Sequence, residues 1–283
     1  MKTIVITGVS TGIGYDTTKG FIQKGYQVFG SVRKQEDADR LKKEFGENFT
    51  PLIFDITDHT AIADAAKMVK EKIGDKGLSG LINNAGTTHG APLMHMSIED
   101  FRNNLEVLLV GQLAVIQAFL PLLGAQKGYP HQPGRIINIT SINGKIAAPF
   151  LAGYVAAKHA MERLSKTLRI ELQLYGIDVI IVGPGVVKTA IWGKQTDDIL
   201  EKYSGTDFYL PGKAFNDFVK KSVDGGLEIE EFSRKLIKIF ELKHPKTRYA
   251  IVKNKFMNWT FPRMMPARIS DKFFAKLVGL KKS

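Results

Sequence analysis

Short apolar, β-branched runs alternate with longer amphipathic stretches along most of this chain. The runs fall at 3–7, 27–32, 51–56, 78–83, 135–140 and 178–182. Between them, 60–73, 97–123 and 154–174 carry apolar residues at helical spacing. Each run is too uniformly apolar for a one-sided antiparallel strand. The pattern therefore predicts βαβ units, a parallel sheet covered by helices on both faces, and an α/β fold class. One more strand is expected within 245–254, and 124–134 reads as a turn-rich surface loop. With no internal repeat or linker, the expectation is one domain over 1–283. It would carry an irregular insert at about 189–226 and a short tail at about 253–283.

Composition changes this picture little. Hydrophobic residues make up 44% and charged residues 24% of the 283, as in ordinary globular proteins. No run of ~20 apolar residues and no secretory leader is apparent, which leads to the expectation of a cytoplasmic protein. Cysteine is absent, so disulfides, thiolate metal sites and a cysteine nucleophile are excluded. The six histidines lack metal-ligand spacing, and no metal is expected. The net charge is +12, of which +7 lies in 253–283. A basic tail points to a surface partner rather than to the chemistry, and no nucleic-acid-reading motif accompanies it.

The stretch TGVSTGIG at 7–14 joins the first strand to the first helix. Gly8, Gly12 and Gly14 let the backbone turn tightly and approach a ligand, and the helix start offers free N–H groups to an anion. Ser10 and Thr11 add hydroxyls. Placed after the first strand of a βαβ series, this arrangement reads as a dinucleotide cradle, the alternative being an ordinary glycine turn. At the end of the second strand, where an acid would hold the adenosine ribose, Val32 stands instead, followed by Arg33 and Lys34. A guanidinium at Arg33 suits a 2′-phosphate and so NADP(H), with NAD(H) the other cofactor such a site would accept. Asp55, at the end of the third strand, would accept from the adenine amino group or cap the next helix.

YVAAK places Tyr154 and Lys158 on one helical face, and Ser141 follows the fifth strand at the carboxyl edge where open α/β sheets bind ligands. Hydride transfer to a carbonyl leaves an alkoxide that needs a proton. A free phenol has a pKa near ~10, and a neighbouring ammonium would lower it. Ser141 would steady the developing charge.

TGVSTGIG, NNAG at 83–86, Ser141 with YxxxK, and PGVVKT at 184–189 occur together and in order. On these motifs the chain resembles the short-chain dehydrogenase/reductase family over about 2–190. Its hydroxysteroid and retinol dehydrogenases are the members nearest in pattern. The resemblance implies a doubly wound Rossmann fold with a seven-stranded, mainly parallel sheet. It implies Tyr154 as acid/base, Lys158 on the nicotinamide ribose, and Ser141 orienting the substrate. It also implies cofactor contacts from Gly8, Ser10, Thr11, Gly12, Ile13, Gly14, Asn83, Ala85, Gly86, Pro184, Gly185, Val187 and Thr189, with Arg33 at the NADP-type position. One departure stands out. In EVLLVG at 106–111, Leu108 occupies the position of the family's helix Asn, whose carbonyl serves a proton relay and whose amide helps hold a helix irregularity. Asn104, one turn earlier, is a candidate substitute. Loss of that amide is what would favour the alternative reading, a cofactor-binding regulatory or scaffold protein.

A bulky lipophilic alcohol or carbonyl is the expected substrate. Wall residues would come from Ile191, Trp192, Phe208, Tyr209, Leu210 and Phe215, with His89, Pro92 and Met94 from the loop after NNAG. In the tail, Phe273, Phe274, Leu277 and Val278 are expected on one helical face, with Ser270 as cap. That segment would lie on a membrane, contact another subunit in a homo-oligomer, or cover the substrate.

Overall fold

The computed structural model describes residues 1–88, 90–189 and 200–280. Numbered over these residues, the strands are β1 Thr3–Ile6, β2 Gln27–Val32, β3 Phe49–Ile53, β4 Gly80–Asn83, β5 Arg135–Ile139, β6 Asp178–Pro184 and β7 Arg248–Ile251. The helices are α1 Gly12–Gln23, α2 Gln35–Phe45, α3 His59–Ile73, α4 Ile98–Leu105, α5 Gly111–Phe119 and α6 Ala152–Glu171. They continue with α7 Tyr209–Asp224, α8 Ile229–Glu241, α9 Phe261–Met264 and α10 Ala267–Leu277. The seven strands form one sheet in the order β3-β2-β1-β4-β5-β6-β7, parallel at every pairing. The chain runs outward from β1 in both directions, so the carboxyl ends of β1 and β4 flank the point where the winding reverses.

Alternation along β1 shows why the runs had to be apolar throughout. Ile4 and Ile6 face one core with Phe21 of α1, Leu41 of α2 and Phe232, Leu236 and Phe240 of α8. Val5 faces the other core with Val69 of α3, Val115 and Phe119 of α5 and Met161 of α6. Side chains on opposite sides of each strand thus both meet helices.

Three expectations change. The insert is not irregular: it contains the 16-residue α7. Pro211 sits in the first turn of that helix, where no N–H is needed for a hydrogen bond, so YLPGK starts a helix rather than breaking one. Ser270 is inside α10 and caps nothing, because that helix begins after Pro266. Finally, Ile98–Leu123 is helical over 26 residues and holds an 18-residue window of mean hydropathy 1.9, long and apolar enough to cross a membrane. It lies against the sheet instead, with Val115, Ile116, Phe119 and Leu123 in the core.

That long helix is interrupted by a π turn, Glu106–Val110, between α4 and α5. Leu108 lies at its centre with 0% exposure, and its side chain packs beside Gly86. The irregularity therefore persists without an amide there. Asn104 is also buried; its Nδ2 donates to the Asp100 carbonyl at 2.9 Å and its side chain packs against Gly153. Leu108→Asn should retain the π turn and lower stability by about 1–3 kcal/mol, because it buries an amide in an apolar slot. Turnover should not change. Thermal melting and steady-state kinetics check both, and a large gain in turnover would show that the missing amide limits the reaction.

Candidate active site

The glycine loop is shaped by contacts that leave no room for side chains. Gly8 has φ +69° and lies so close to Ala85 that a Cβ would sit 2.8 Å from its Cα. A Cβ on Gly14 would collide with the Gly8 carbonyl. Thr7 Oγ1 accepts from the backbone N–H groups of Asn84 and Ala85, both at 2.9 Å. Asn84 returns two bonds through Nδ2, to the carbonyls of Thr7 at 2.9 Å and Gly8 at 3.0 Å. Ser31 Oγ accepts from Gly8 N at 2.9 Å. The start of α1 has neither a side-chain cap nor an acidic residue in its first turn, so its N–H groups remain available to an anion. Thr189 stands across the loop, 3.8 Å from where a Gly12 Cβ would lie. This backbone-lined cradle fits a dinucleotide phosphate.

Ser10, Thr11 and Ile13 lie on the loop, and Ala85 and Gly86 border it from β4. Pro184 ends β6 and Gly185 follows, its N–H donating to Ile251 O at 3.0 Å. Two of the expected cofactor residues differ. Asn83 is buried, bonded through Nδ2 to Asn138 Oδ1 at 3.1 Å and Gln112 O at 3.3 Å. Val187 is also buried and pairs with Leu227. Both turn their side chains into the core, so only their backbones can meet a ligand.

At the adenosine end, Arg33 is exposed (79%) and its Nη1 lies 3.8 Å from Asp55 Oδ2. Asp55 caps no helix: Asp58 does, accepting from Ala61 N at 2.9 Å. Asp55 instead accepts from Thr57 N at 2.9 Å and Thr57 Oγ1 at 2.7 Å. Partial burial pushes its carboxyl up, but the Thr57 bonds and the Arg33 guanidinium outweigh this and hold it below the usual aspartate value. Pattern reading missed Arg40, whose Nη2 donates to the Ser10 carbonyl at 2.7 Å. It brings a second guanidinium beside the loop from a helix that reads as ordinary surface charge.

Ser141, Tyr154 and Lys158 do come together. Ser141 follows β5 with its Oγ accepting from Asn143 N at 3.0 Å. The Ser141 hydroxyl lies near enough to the Tyr154 phenol to favour its ionised form. Lys158 is buried, donates to Ile139 O at 2.9 Å, and lies 5.8 Å from the centroid of the Tyr154 ring. The electrostatics differ from expectation. Burial pushes the Tyr154 phenol up, offset only partly by Ser141. Burial also pulls the Lys158 ammonium down to about 8. Lys158 faces the flat of the ring and a backbone carbonyl, so the protein by itself does not draw the phenol toward neutrality.

A buried ion pair supports this edge. Glu162, one turn beyond Lys158, has a side chain only 2% exposed. Arg248 of β7 grips both its oxygens through Nε, at 2.9 and 3.0 Å, and Arg248 Nη2 donates to the Ser141 carbonyl at 3.4 Å. Thr140 Oγ1 adds a bond to Glu162 at 3.1 Å, and Lys145 lies 3.5 Å away. The Trp259 ring covers the Arg248 guanidinium at 4.0 Å. The carboxylate and the arginine are over 80 residues apart in sequence, and no local pattern announces them.

Just before α6, Phe150 adopts φ +63°, in the left-handed region that a bulky residue occupies only at a cost of roughly 1–2 kcal/mol. Its ring meets Phe215 of α7 at 5.4 Å and Phe208 at 6.5 Å, and Phe208 also meets His95 at 5.6 Å. An aromatic wall thus rises four residues before Tyr154. Of the expected wall, Phe208 and Phe215 join it and Pro92 is buried nearby in sequence. Leu210 and Met94 face solvent instead, and Tyr209 bonds Glu201 at 2.9 Å. Residues 89, 191 and 192 lie outside the described residues.

The chain belongs to the short-chain dehydrogenase/reductase family, a family of oxidoreductases: the family profile described as "short chain dehydrogenase" matches residues 2–200. Among curated relatives, it is 39% identical over 280 residues to "NADPH-dependent 3-dehydrocapnine reductase" of Ornithobacterium rhinotracheale, covering 98% of this chain and 97% of that protein. It is 32% identical over 268 residues to "17-beta-hydroxysteroid dehydrogenase type 6" of Bos taurus, covering 88% and 80%. Among solved structures, a short-chain dehydrogenase from Streptomyces avermitilis superposes with a TM-score of 0.75 over 99% of each chain at 22% identity, which shows the shared fold.

A buried ammonium with a lowered pKa destabilises the fold while it is charged. Below about pH 8 Lys158 imposes that full cost, and the cost fades as pH rises from about 8 toward 10.5, the ordinary lysine value. Lys158→Met should therefore stabilise the chain by roughly 1–3 kcal/mol at neutral pH and abolish turnover. Denaturant melts at pH 7 and pH 9.5 would check it, the advantage of the variant shrinking at the higher pH.

Proposed function

We propose that this protein is a single-domain, NADP(H)-dependent oxidoreductase that interconverts an alcohol and a ketone or aldehyde, acting on a bulky lipophilic substrate. The observation that carries the reading is the gathering of Ser141, Tyr154 and Lys158 at the carboxyl edge of β5. That edge lies one strand away from the cradle at the ends of β1 and β4. The relative named as an NADPH-dependent reductase supports the cofactor, as does Arg33 directly after Val32, which stands where an acid would otherwise select NAD(H). The aromatic wall of Phe150, Phe208 and Phe215 supports an apolar substrate.

The backbone N–H groups at the start of α1, with Gly8, Ser10, Thr11, Gly12, Ile13 and Gly14, would hold the pyrophosphate. Arg33, assisted by Arg40, would face the 2′-phosphate. Asp55 would meet the adenine, and Ala85, Gly86, Gly185 and Thr189 would border the remainder. When bound, the cofactor supplies the hydride. Ser141 holds the substrate oxygen through its hydroxyl. Tyr154 gives that oxygen its proton during reduction and takes it back during oxidation. Lys158, anchored on Ile139 O, orients the site from beneath. The fixed charge that would draw the phenol down is the oxidised nicotinamide's, since burial within the protein acts in the opposite direction. The same reading includes self-association and a lipid surface as the partner of the basic tail. The alternative of a cofactor-binding regulatory or scaffold protein with weak catalysis rests on Leu108 alone.

Tyr154→Phe should reduce NADPH-dependent ketone reduction at least ~100-fold, as expected on removing a general acid. Equal rates in parent and variant across a panel of lipophilic ketones would refute the enzyme reading. Arg33→Asp should lower kcat/KM for NADPH relative to NADH by about 10–100-fold, the value of one charge-assisted phosphate contact. Retained NADPH preference would place 2′-phosphate recognition elsewhere.

A further inference from the structure

The last described segment, 253–280, is built with two opposed faces. One is bound to the body of the protein. Trp259 is buried between the Arg248 guanidinium at 4.0 Å and that of Arg263 at 4.4 Å, and Val278 at the end of α10 is buried too. The other face is left in solvent although it is apolar. Met264 is 73% exposed, Phe256 61%, Ile269 57% and Phe273 51%, and Leu277 is also exposed. Phe273 and Leu277 therefore do not share a face with Val278, as the heptad-like spacing had suggested, but point away from it. Scattered exposed apolar residues need no explanation, but a contiguous set on one segment does.

The charge on this segment identifies what covers that face. Lys253, Lys255, Arg263, Arg268, Lys272 and Lys276 are all exposed, and Asp271 is the only acid in the segment. Lys253 lies near Glu231 of α8, while Arg268, Lys272 and Lys276 of α10 make no salt bridge within 4.0 Å among the described residues. On α10, Ile269, Phe273 and Leu277 recur every four residues and make one stripe. Arg268, Lys272 and Lys276 recur in the same way and make a second stripe immediately beside it. Apolar side chains flanked on one edge by long cationic ones match the boundary of an anionic bilayer. There the rings enter the headgroup region and the ammonium groups reach the phosphates. A second copy of the chain packed antiparallel about a two-fold axis would set each cationic stripe against its like.

We propose that residues 253–280 dock this protein onto an anionic lipid bilayer, with the stripe Ile269–Phe273–Leu277 inserted and the stripe Arg268–Lys272–Lys276 on lipid phosphate. The proposal names the partner of the tail within the reading above and is independent of hydride transfer. Trp259 fixes the segment to Arg248, which also holds Glu162 and the Ser141 carbonyl, so the docked face and the catalytic edge belong to one rigid framework.

The test is flotation of the full chain with vesicles of phosphatidylcholine containing about 30% phosphatidylglycerol, against pure phosphatidylcholine. Both are run at low salt and at about 1 M salt, where the screening length falls to ~3 Å. Anionic vesicles at low salt should carry the protein, whereas neutral vesicles or high salt should release it. Each cation removed is worth about fivefold, so Arg268→Gln/Lys272→Gln/Lys276→Gln should lower partitioning roughly 100-fold. Ile269→Ser/Phe273→Ser/Leu277→Ser should also abolish flotation. Melting temperature and reduction of a water-soluble ketone should stay unchanged in both variants. Absence of flotation with anionic vesicles overturns the proposal. So does equal flotation of parent and variants, or an apolar variant that alters only the oligomeric state, which would make a second copy the occupant. Flotation without ketone reduction would leave the docking intact while refuting the enzyme reading.

Discussion

The rest of the site depends on how closely the backbone after β1 approaches the backbone after β4. No Cβ fits between Gly8 and Ala85, and Gly14 lies directly on the Gly8 carbonyl. The contact is held by hydrogen bonds in both directions, Thr7 accepting from Asn84 and Ala85 while Asn84 donates to Thr7 and Gly8. The sheet order makes this possible, because β1 and β4 are neighbours although 73 residues separate Ile6 and Gly80 in sequence. A parallel pair at a winding reversal leaves a crevice between diverging connections, and the glycines let the chain line it with main-chain donors. With the start of α1 uncapped, those donors have no other partner within the helix.

The edge at β5, beside β4, where Ser141, Tyr154 and Lys158 gather, is built on different physics. Here polar groups are buried rather than withheld. Lys158 is anchored on a carbonyl, Ser141 on Asn143 N and on Arg248, and Glu162 on Arg248, Thr140 and Lys145. A buried carboxylate survives only with such complete pairing, since losing one partner leaves an uncompensated charge costing about 3–5 kcal/mol. The strained backbone of Phe150, just before α6, is held by ring contacts with Phe208 and with Phe215 of α7. The site is thus a strained, desolvated corner stabilised by the two cores beneath it, and Lys158 is a residue whose presence costs stability.

β7 ties the corner to the end of the chain. Arg248 leaves the sheet edge, grips Glu162 and is covered by Trp259, which Arg263 covers from its other side. A tryptophan between two guanidiniums is a cation–π arrangement that fixes both ends of the contact with little loss of conformational freedom. The final helices are thus tied to the Ser–Tyr–Lys edge through Trp259, with Val278 also buried, while their other face is exposed.

Local order in the sequence was enough for the sheet, the cradle and the Ser–Tyr–Lys set. Apolar runs of strand length and a glycine pattern at a strand–helix junction are short-range signals, and the family motifs record their spacing. Even there, adjacency left particular places open: of the two roles weighed for Asp55, the helix cap falls to Asp58, and the insert expected to be irregular contains α7. What only the tertiary structure decided depends on residues far apart in the chain. It turned Asn83 and Val187 inward, placed Arg40 under Ser10, closed Glu162 with Arg248, and divided Phe273 from Val278 between opposite faces. Helical spacing says which residues share a side, but which side meets the protein and which meets solvent is set by whatever packs against it. The direction of the Tyr154 and Lys158 shifts was hidden for the same reason, because burial is a property of the assembled surroundings and not of the motif.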